Sequence, residues 1–185
     1  MTHDHAPAPS PWIVRFAPLV PVGARVLDLA AGSGRHARLF ASRGARVLAV
    51  DRDAASMQAL GGVPGIATRV VDLQAGAWPF PGETFDAIVV TNYLHRPLFP
   101  HLRAALAPDG ALLYETFAMG NEAFGRPTSP DFLLCRDELL SLACLAPAMT
   151  VVAFEQGLVE GADRKAVVER LAAVGPARPW PPGLG

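Results

Sequence analysis

The stretch RVLDLAAGSGRHARLFASRGARVLAVDRD, residues 25–53, constrains this chain more than any other. The apolar run Val26, Leu27, Asp28, Leu29 stops at the small residues Ala30, Ala31, Gly32, Ser33 and Gly34, and the apolar spacing then turns helical over 35–43. A second apolar strand follows and ends at an acid, Asp51. Strand, tight turn, helix and strand in this order form the building unit of a parallel α/β sheet. Gly32 and Gly34 carry no Cβ, so the backbone can turn sharply and a ligand can approach the main chain. The helix after them aims the positive end of its dipole at the same spot. The unit reads as a site for a nucleotide-type ligand.

The rest of the chain repeats the alternation. Ser10 and Pro11 predict an N-cap and first helical position, with Trp12, Ile13 and Phe16 as an apolar face until Pro18. This helix would either roof the ligand or pack on the sheet. After Asp53 the pattern predicts a helix over 54–60, a strand over 66–71 ending at Asp72, and a Gly- and Pro-rich connection over 72–83. A strand over 85–91, a helix over 99–106, a turn at 107–110 and a strand over 111–117 follow. Beyond a mixed loop lie a helix over 136–145 and two extended runs, 149–156 and 164–172, that suit a closing antiparallel hairpin. The expected fold is α/β, a doubly wound, mostly parallel, Rossmann-like sheet with helices on both faces and a C-terminal antiparallel hairpin.

A length of 185 residues suits one domain, expected over 10–174, with a disordered segment at 1–9 and a mobile proline-rich tail at 175–185 in which Trp180 is the candidate to dock. His3, Asp4 and His5 are read as solvated rather than as metal ligands, and no metal is expected. With 16 Lys and Arg against 17 Asp and Glu there is no broad surface for nucleic acid, and no apolar run is long enough to span a membrane. Without a signal-like start, and with only Cys135 and Cys144, read as reduced buried thiols, the expectation is a cytoplasmic protein. Composition does not determine the oligomeric state.

Gly32-x-Gly34-x-x-Ala37 with Asp51 nineteen residues after Gly32 satisfies the dinucleotide pattern literally. Asp28 argues against it, because a carboxylate beside a pyrophosphate repels it. S-adenosylmethionine reverses that argument: it carries a sulfonium and an amino group and no phosphate, so Asp28 can accept from the amino group, directly or through water. Asp51 can accept from both ribose hydroxyls and Asp72 from the adenine amino group. Three acids at consecutive strand ends line the edge at which doubly wound sheets bind ligands. Each, taken singly, reads equally well as a cap of the next helix or turn.

These residues, with Phe85-Asp86 and the Pro108-Asp109-Gly110 turn, resemble the class I S-adenosylmethionine-dependent methyltransferases over most of residues 20–172. Gly34-Arg35 followed by Leu39, Ala45-Arg46-Val47, and Thr68-Arg69-Val70-Val71-Asp72-Leu73 are similar to the small bacterial tellurite-resistance-type, TehB-like branch. Ala30 stands where that family often has its first glycine. The resemblance implies seven strands in the order 3-2-1-4-5-7-6 with the last antiparallel, and S-adenosylmethionine as cofactor. It marks Asp28, Ala30, Gly32, Gly34, Arg35, Asp51, Arg52, Asp72, Leu73 and Asn92 as its binding set.

Residues after the fourth strand would face the methyl group. His95 becomes a candidate base, Arg96 a candidate holder of an anionic substrate, and Tyr93 a third catalytic candidate. Glu115 and the loop bearing Glu122, Phe124 and Arg126 would wall the pocket, with Phe117, Phe124 and Phe132 as its apolar surface, and that loop is long enough for a lid. The expected activity is methyl transfer by in-line displacement to a small-molecule acceptor. A nicotinamide-dependent, NAD(P)-using oxidoreductase and a non-catalytic S-adenosylmethionine-binding module are the alternatives.

Overall fold

The computed structural model describes residues 7–161 and 165–184. The expectation for residues 1–6, including His3, Asp4 and His5, lies outside them. Seven strands form one sheet: β1 (Arg25–Leu29), β2 (Arg46–Asp51), β3 (Ile66–Val70), β4 (Phe85–Thr91), β5 (Leu106–Phe117), β6 (Thr150–Glu160) and β7 (Lys165–Val174), in the spatial order 3-2-1-4-5-7-6. Pairings among the first five are parallel, and β7 runs antiparallel to both neighbours. The order reverses at β1, so the ends of β1 and β4 flank the switch point where such sheets bind ligands.

Helices α1 (Pro11–Phe16), α2 (Arg35–Ser42) and α3 (Ala54–Leu60) cover one face, and their Trp12, Ile13, Phe40 and Leu60 pack with Val26, Val89 and Leu113. Helices α4 (Phe99–Ala105) and α5 (Glu138–Ala143) cover the other, where Leu102, Leu139 and Leu142 pack with Leu27, Ile88 and Tyr114. Strand alternation, with side chains on opposite faces at successive residues, builds both cores. Caps set the helix starts: the Ser10 hydroxyl accepts from the Trp12 amide at 3.2 Å, and Asp53 accepts from the Ala55 amide at 3.1 Å and the Ser56 hydroxyl at 2.6 Å. Of the two roles open to α1, packing is the one observed. Its apolar face is buried against the sheet.

Four expectations are corrected. Residues 107–110 do not end the preceding helix in a separate turn but form an excursion within β5: Phe85 pairs with Leu106 and Ala87 with Ala111, and the Pro108 and Gly110 carbonyls accept from Ala177 and Gly175. The stretch 157–160, outside the expected extended runs 149–156 and 164–172, is strand, because its backbone pairs with 165–168 of β7. Both cysteines are free and exposed rather than buried. Trp180 is 71% exposed and does not dock, whereas Arg178 Nη2 donates to the Leu19 carbonyl at 2.6 Å.

Candidate functional site

The β1–α2 turn is held from β2. The Gly32 amide donates to Asp51 Oδ2 at 2.8 Å and the Asp53 amide to Oδ1 at 2.9 Å, so one carboxylate fixes the glycine turn and the start of its own connection. The Ala31 amide donates to the Val50 carbonyl at 2.9 Å. The turn needs left-handed backbone at Ala30, Gly32 and Gly34, with φ of 56°, 53° and 74°. A Cβ on Gly34 would lie 2.3 Å from Leu60 Cδ1 of α3, so this glycine is required by packing as well as by φ. A Cβ on Gly32 would meet nothing, which leaves that side open to a ligand.

The turn after β4 is equally fixed. Asn92 has φ of 54°, its amide donates to the Glu115 carbonyl at 2.9 Å, and the buried Tyr114 hydroxyl donates to the Tyr93 carbonyl at 2.9 Å. Non-glycine residues with positive φ at both turns, Ala30 and Asn92, concentrate backbone strain beside one cavity.

That cavity, about 310 Å³, lies at the carboxyl ends of β1–β4. It brings together Ala30, Asp51, Arg52, Asp72, Leu73, Asn92 and Tyr93 of the sequence-derived set. Asp72 Oδ1 also accepts from the Gln74 amide at 2.9 Å. The Tyr93 hydroxyl is buried without a hydrogen-bond partner among the described residues, and burial raises its pKa, with Gln74 and Asp72 as polar neighbours. Sequence reasoning missed Val71, Gln74, Leu94, Thr116 and Pro127 in the wall. Thr116 was legible in principle, since alternation puts it on the face opposite Glu115.

Asp28 sits beneath the glycine turn rather than in the cavity wall. It is 1% exposed, neither carboxylate oxygen has a hydrogen-bond partner among the described residues, and burial pushes its pKa up to about 7, partly offset by the nearby Ala37 amide and the Arg35 charge. A buried carboxylate left unpaired calls for a cationic partner. Arg35 opens α2 next to it. On the same face His36 is buried between the Ser10 amide, which donates to Nε2 at 3.1 Å, and Thr91 Oγ1, 3.2 Å from Nδ1. An accepting Nε2 assigns the proton to Nδ1. Burial pulls the His36 pKa down to about 4, with the Arg35 charge adding to it.

The other candidates fall elsewhere. His95 precedes a 3₁₀ turn at Arg96–Leu98 and is not in the cavity wall. Arg96 does not hold the site open to an anion: its guanidinium bonds Glu138 at 2.6 and 2.9 Å and the carbonyls of Asp131 and Leu133 at 3.2 and 2.8 Å, a clamp from the post-β4 turn to α5. Glu115 faces α1, accepting from the Ser10 hydroxyl at 2.8 Å and pairing with Arg170 at 3.2 Å, because alternation along β5 turns it away from the cavity. Glu122 is occupied by the Gly120 amide, and Phe124 is 45% exposed. Phe117 and Phe132 do line the cavity. They also line an adjoining cleft of about 520 Å³ together with Asn92, Arg126, Pro127, Thr128 and Ser129. Among the described residues no group of three or more His, Cys, Asp or Glu is placed to hold a metal ion.

The donor set suits S-adenosylmethionine. Asp51, Asp72 and Tyr93 line the cavity, a third carboxylate, Asp28, lies buried outside its wall, and Arg52 is the one cation in the wall among the described residues. Residues 26–110 match the methyltransferase domain family. The fold is similar to TehB from Haemophilus influenzae (TM-score 0.77, 19% identity over 93% of this chain), and the chain spans 64% of that protein's length. It is also similar to a TehB-like SAM-dependent methyltransferase from Corynebacterium glutamicum (TM-score 0.61, 21% identity, 86% of this chain and 84% of that one). A third likeness is the [4+2]-cyclase SpnF (TM-score 0.65, 14% identity, 89% of this chain and 78% of that one). Among curated proteins no sequence match is found. With the glycine turn, the acidic strand ends and the 3-2-1-4-5-7-6 sheet, residues 26–110 are similar to the methyltransferase domain family, and S-adenosylmethionine is the cofactor that this similarity leads one to expect.

Proposed function

We propose that the protein transfers a methyl group from S-adenosylmethionine to a small-molecule acceptor. The observation that carries this reading is the cavity between Asp51, Asp72 and Tyr93, continuous at Asn92 and Phe117 with a second, open cleft. Asp51 keeps lone pairs for ribose hydroxyls beyond the two amides it accepts, and Asp72 keeps its second oxygen for the adenine amino group. Asp28, buried outside the cavity wall with its pKa raised to about 7, would be drawn toward its charged form by a cation bound over the glycine turn. The bound cofactor supplies an electrophilic methyl carbon. The chain's part is to hold the acceptor in line with it and to exclude water, which the fixed Asn92–Tyr93 turn and the Phe117 and Phe132 rings are built to do. Two free thiols and the lack, among the described residues, of a helix long and apolar enough to cross a membrane support a cytoplasmic setting.

Ligand-dependent melting tests the reading. S-adenosylmethionine and its demethylated product should raise the melting temperature, and NAD should not. Stabilisation by NAD alone overturns it. Since a related fold occurs in a cyclase, binding must be followed by labelled methyl transfer to a panel of acceptors. Binding without transfer to any of them favours the non-catalytic module.

A further inference from the structure

We infer that the acceptor is an organic anion whose nucleophile is already ionised at neutral pH, with its negative head held by Arg126. The inference rests on the proposed methyl transfer and names the acceptor class for that site. The cleft that joins the cofactor cavity shares Asn92, Phe117, Pro127 and Phe132 with it and adds Arg126, Thr128 and Ser129. At about 520 Å³ it lies within the ~300–1,000 Å³ of organic-ligand pockets, so a body of several carbons fits between the rings of Phe117 and Phe132. Phe132 is 46% exposed, and an apolar body would cover that ring. Arg126 is the cleft's one cation among the described residues and makes no ion pair with any of them.

The same wall is notable for its chemistry. Among the described residues it carries no Asp, Glu, His, Cys or Lys. Asp51 and Asp72 of the adjoining cavity are assigned to the cofactor, and the other candidate bases that the sequence offered lie elsewhere or are unsuited. His95 lines neither space, Glu115 is turned to the opposite face by Ser10 and Arg170, and Glu138 is clamped by Arg96. Tyr93 has its pKa raised by burial and stays protonated at neutral pH. An alcohol or a protonated amine would find no group in this wall, among the described residues, to take its proton. A thiolate needs none: its lone pair forms the bond to the methyl carbon, the carbon–sulfur bond of the sulfonium breaks with its electron pair to sulfur, and both charges are neutralised without proton transfer. Arg126 compensates the separate anionic head and so orients the nucleophile toward the shared mouth at Asn92.

The test uses 4-mercaptobenzoate, its uncharged amide 4-mercaptobenzamide, and 4-hydroxybenzoate. Titration of S-adenosylhomocysteine first checks the methyltransferase reading by itself, since a protein that does not bind it fails that reading and not the acceptor assignment. With that ligand bound, calorimetry should show 4-mercaptobenzoate binding more tightly than the amide. Arg126→Ala should weaken the acid about tenfold or more and leave the amide unchanged, and Arg126→Lys should restore part of the loss. In turnover, 4-hydroxybenzoate should be inert, and the pH profile across substituted thiols should follow each thiol's own ionisation. Equal loss for acid and amide, no binding of either by the wild type, or a single pH profile shared by all acceptors would overturn the assignment.

Discussion

Asp51 links structure and ligand in one side chain. Both its oxygens accept backbone amides, from Gly32 and Asp53, while the same carboxylate borders the cavity. Asp51→Ala leaves two amides without acceptors and should cost about 1–3 kcal/mol of stability in urea unfolding. It should also abolish the melting-temperature rise given by S-adenosylhomocysteine. A variant that melts early but keeps the full ligand shift would confine Asp51 to the turn. Ala30 makes the opposite case. Held at φ 56°, it bears a left-handed penalty of about 1–2 kcal/mol that glycine would not, less about 0.4–1 kcal/mol for the added freedom of the unfolded chain. Ala30→Gly should therefore stabilise the protein by up to about 1 kcal/mol, measured by the same unfolding curves, and a loss of stability would mean that the methyl group contributes to packing at the cavity wall.

Between elements the controlling contact is α2 against α3. Gly34 opens α2 with its Cα close against Leu60, and a methyl group there would overlap the Leu60 side chain. Gly34→Ala should destabilise by about 2–4 kcal/mol, the sum of left-handed strain and overpacking. Because the overlap is with one flexible side chain, Leu60→Ala should relieve part of it. A double-mutant cycle then reads a favourable coupling, and strict additivity would assign the whole loss to backbone strain at Gly34. The clamp from Arg96 to Glu138 is a second inter-element link. It explains why an arginine next to the site need not be a substrate group: the side chain closes on α5, which packs at its N-terminus on the buried Glu169 through the Leu139 amide at 2.8 Å.

At the scale of the molecule, the elements from Ser10 to Phe117, apart from 107–110, were legible because apolar period, glycine turns and caps agree locally, whereas the sheet order came from the family resemblance. That Asp51 and Asp72 meet at one cavity followed from their places at strand ends, since position along a strand fixes which end of the sheet a residue reaches. What the sequence did not reveal depends on contacts between distant segments. Arg96 reads as a free cation until Glu138, 42 residues away, is brought beside it, and Glu115 reads as pocket wall until β7 supplies Arg170 on the other face. The 310 Å³ cavity likewise needs Gln74, Thr116 and Pro127 from three separate segments. Two buried groups on the α1–α2 face, also invisible to local pattern, give the whole protein its pH response. Asp28 holds its proton to about pH 7 when folded, against 3.8 for its ordinary value, so the folded state binds more protons between those limits and stability falls as pH rises through them, by about 4 kcal/mol in all. His36 takes up a proton only near pH 4 on acidification, remaining neutral where an unfolded histidine charges below 6.5, so its contribution falls as pH drops from 6.5 to 4, by about 3 kcal/mol. The two slopes oppose each other between pH 4 and 6.5, and the wild type should be nearly flat there and weaken from 6.5 to above 7. Asp28→Asn removes one slope. It should be more stable than the wild type at pH 8, equal to it near pH 4, and should lose stability steadily on acidification from 6.5, as chemical unfolding across that range would measure. A variant less stable than the wild type at pH 8 would mean that Asp28 is charged and paired in the folded protein, with the glycine turn closed over a satisfied carboxylate.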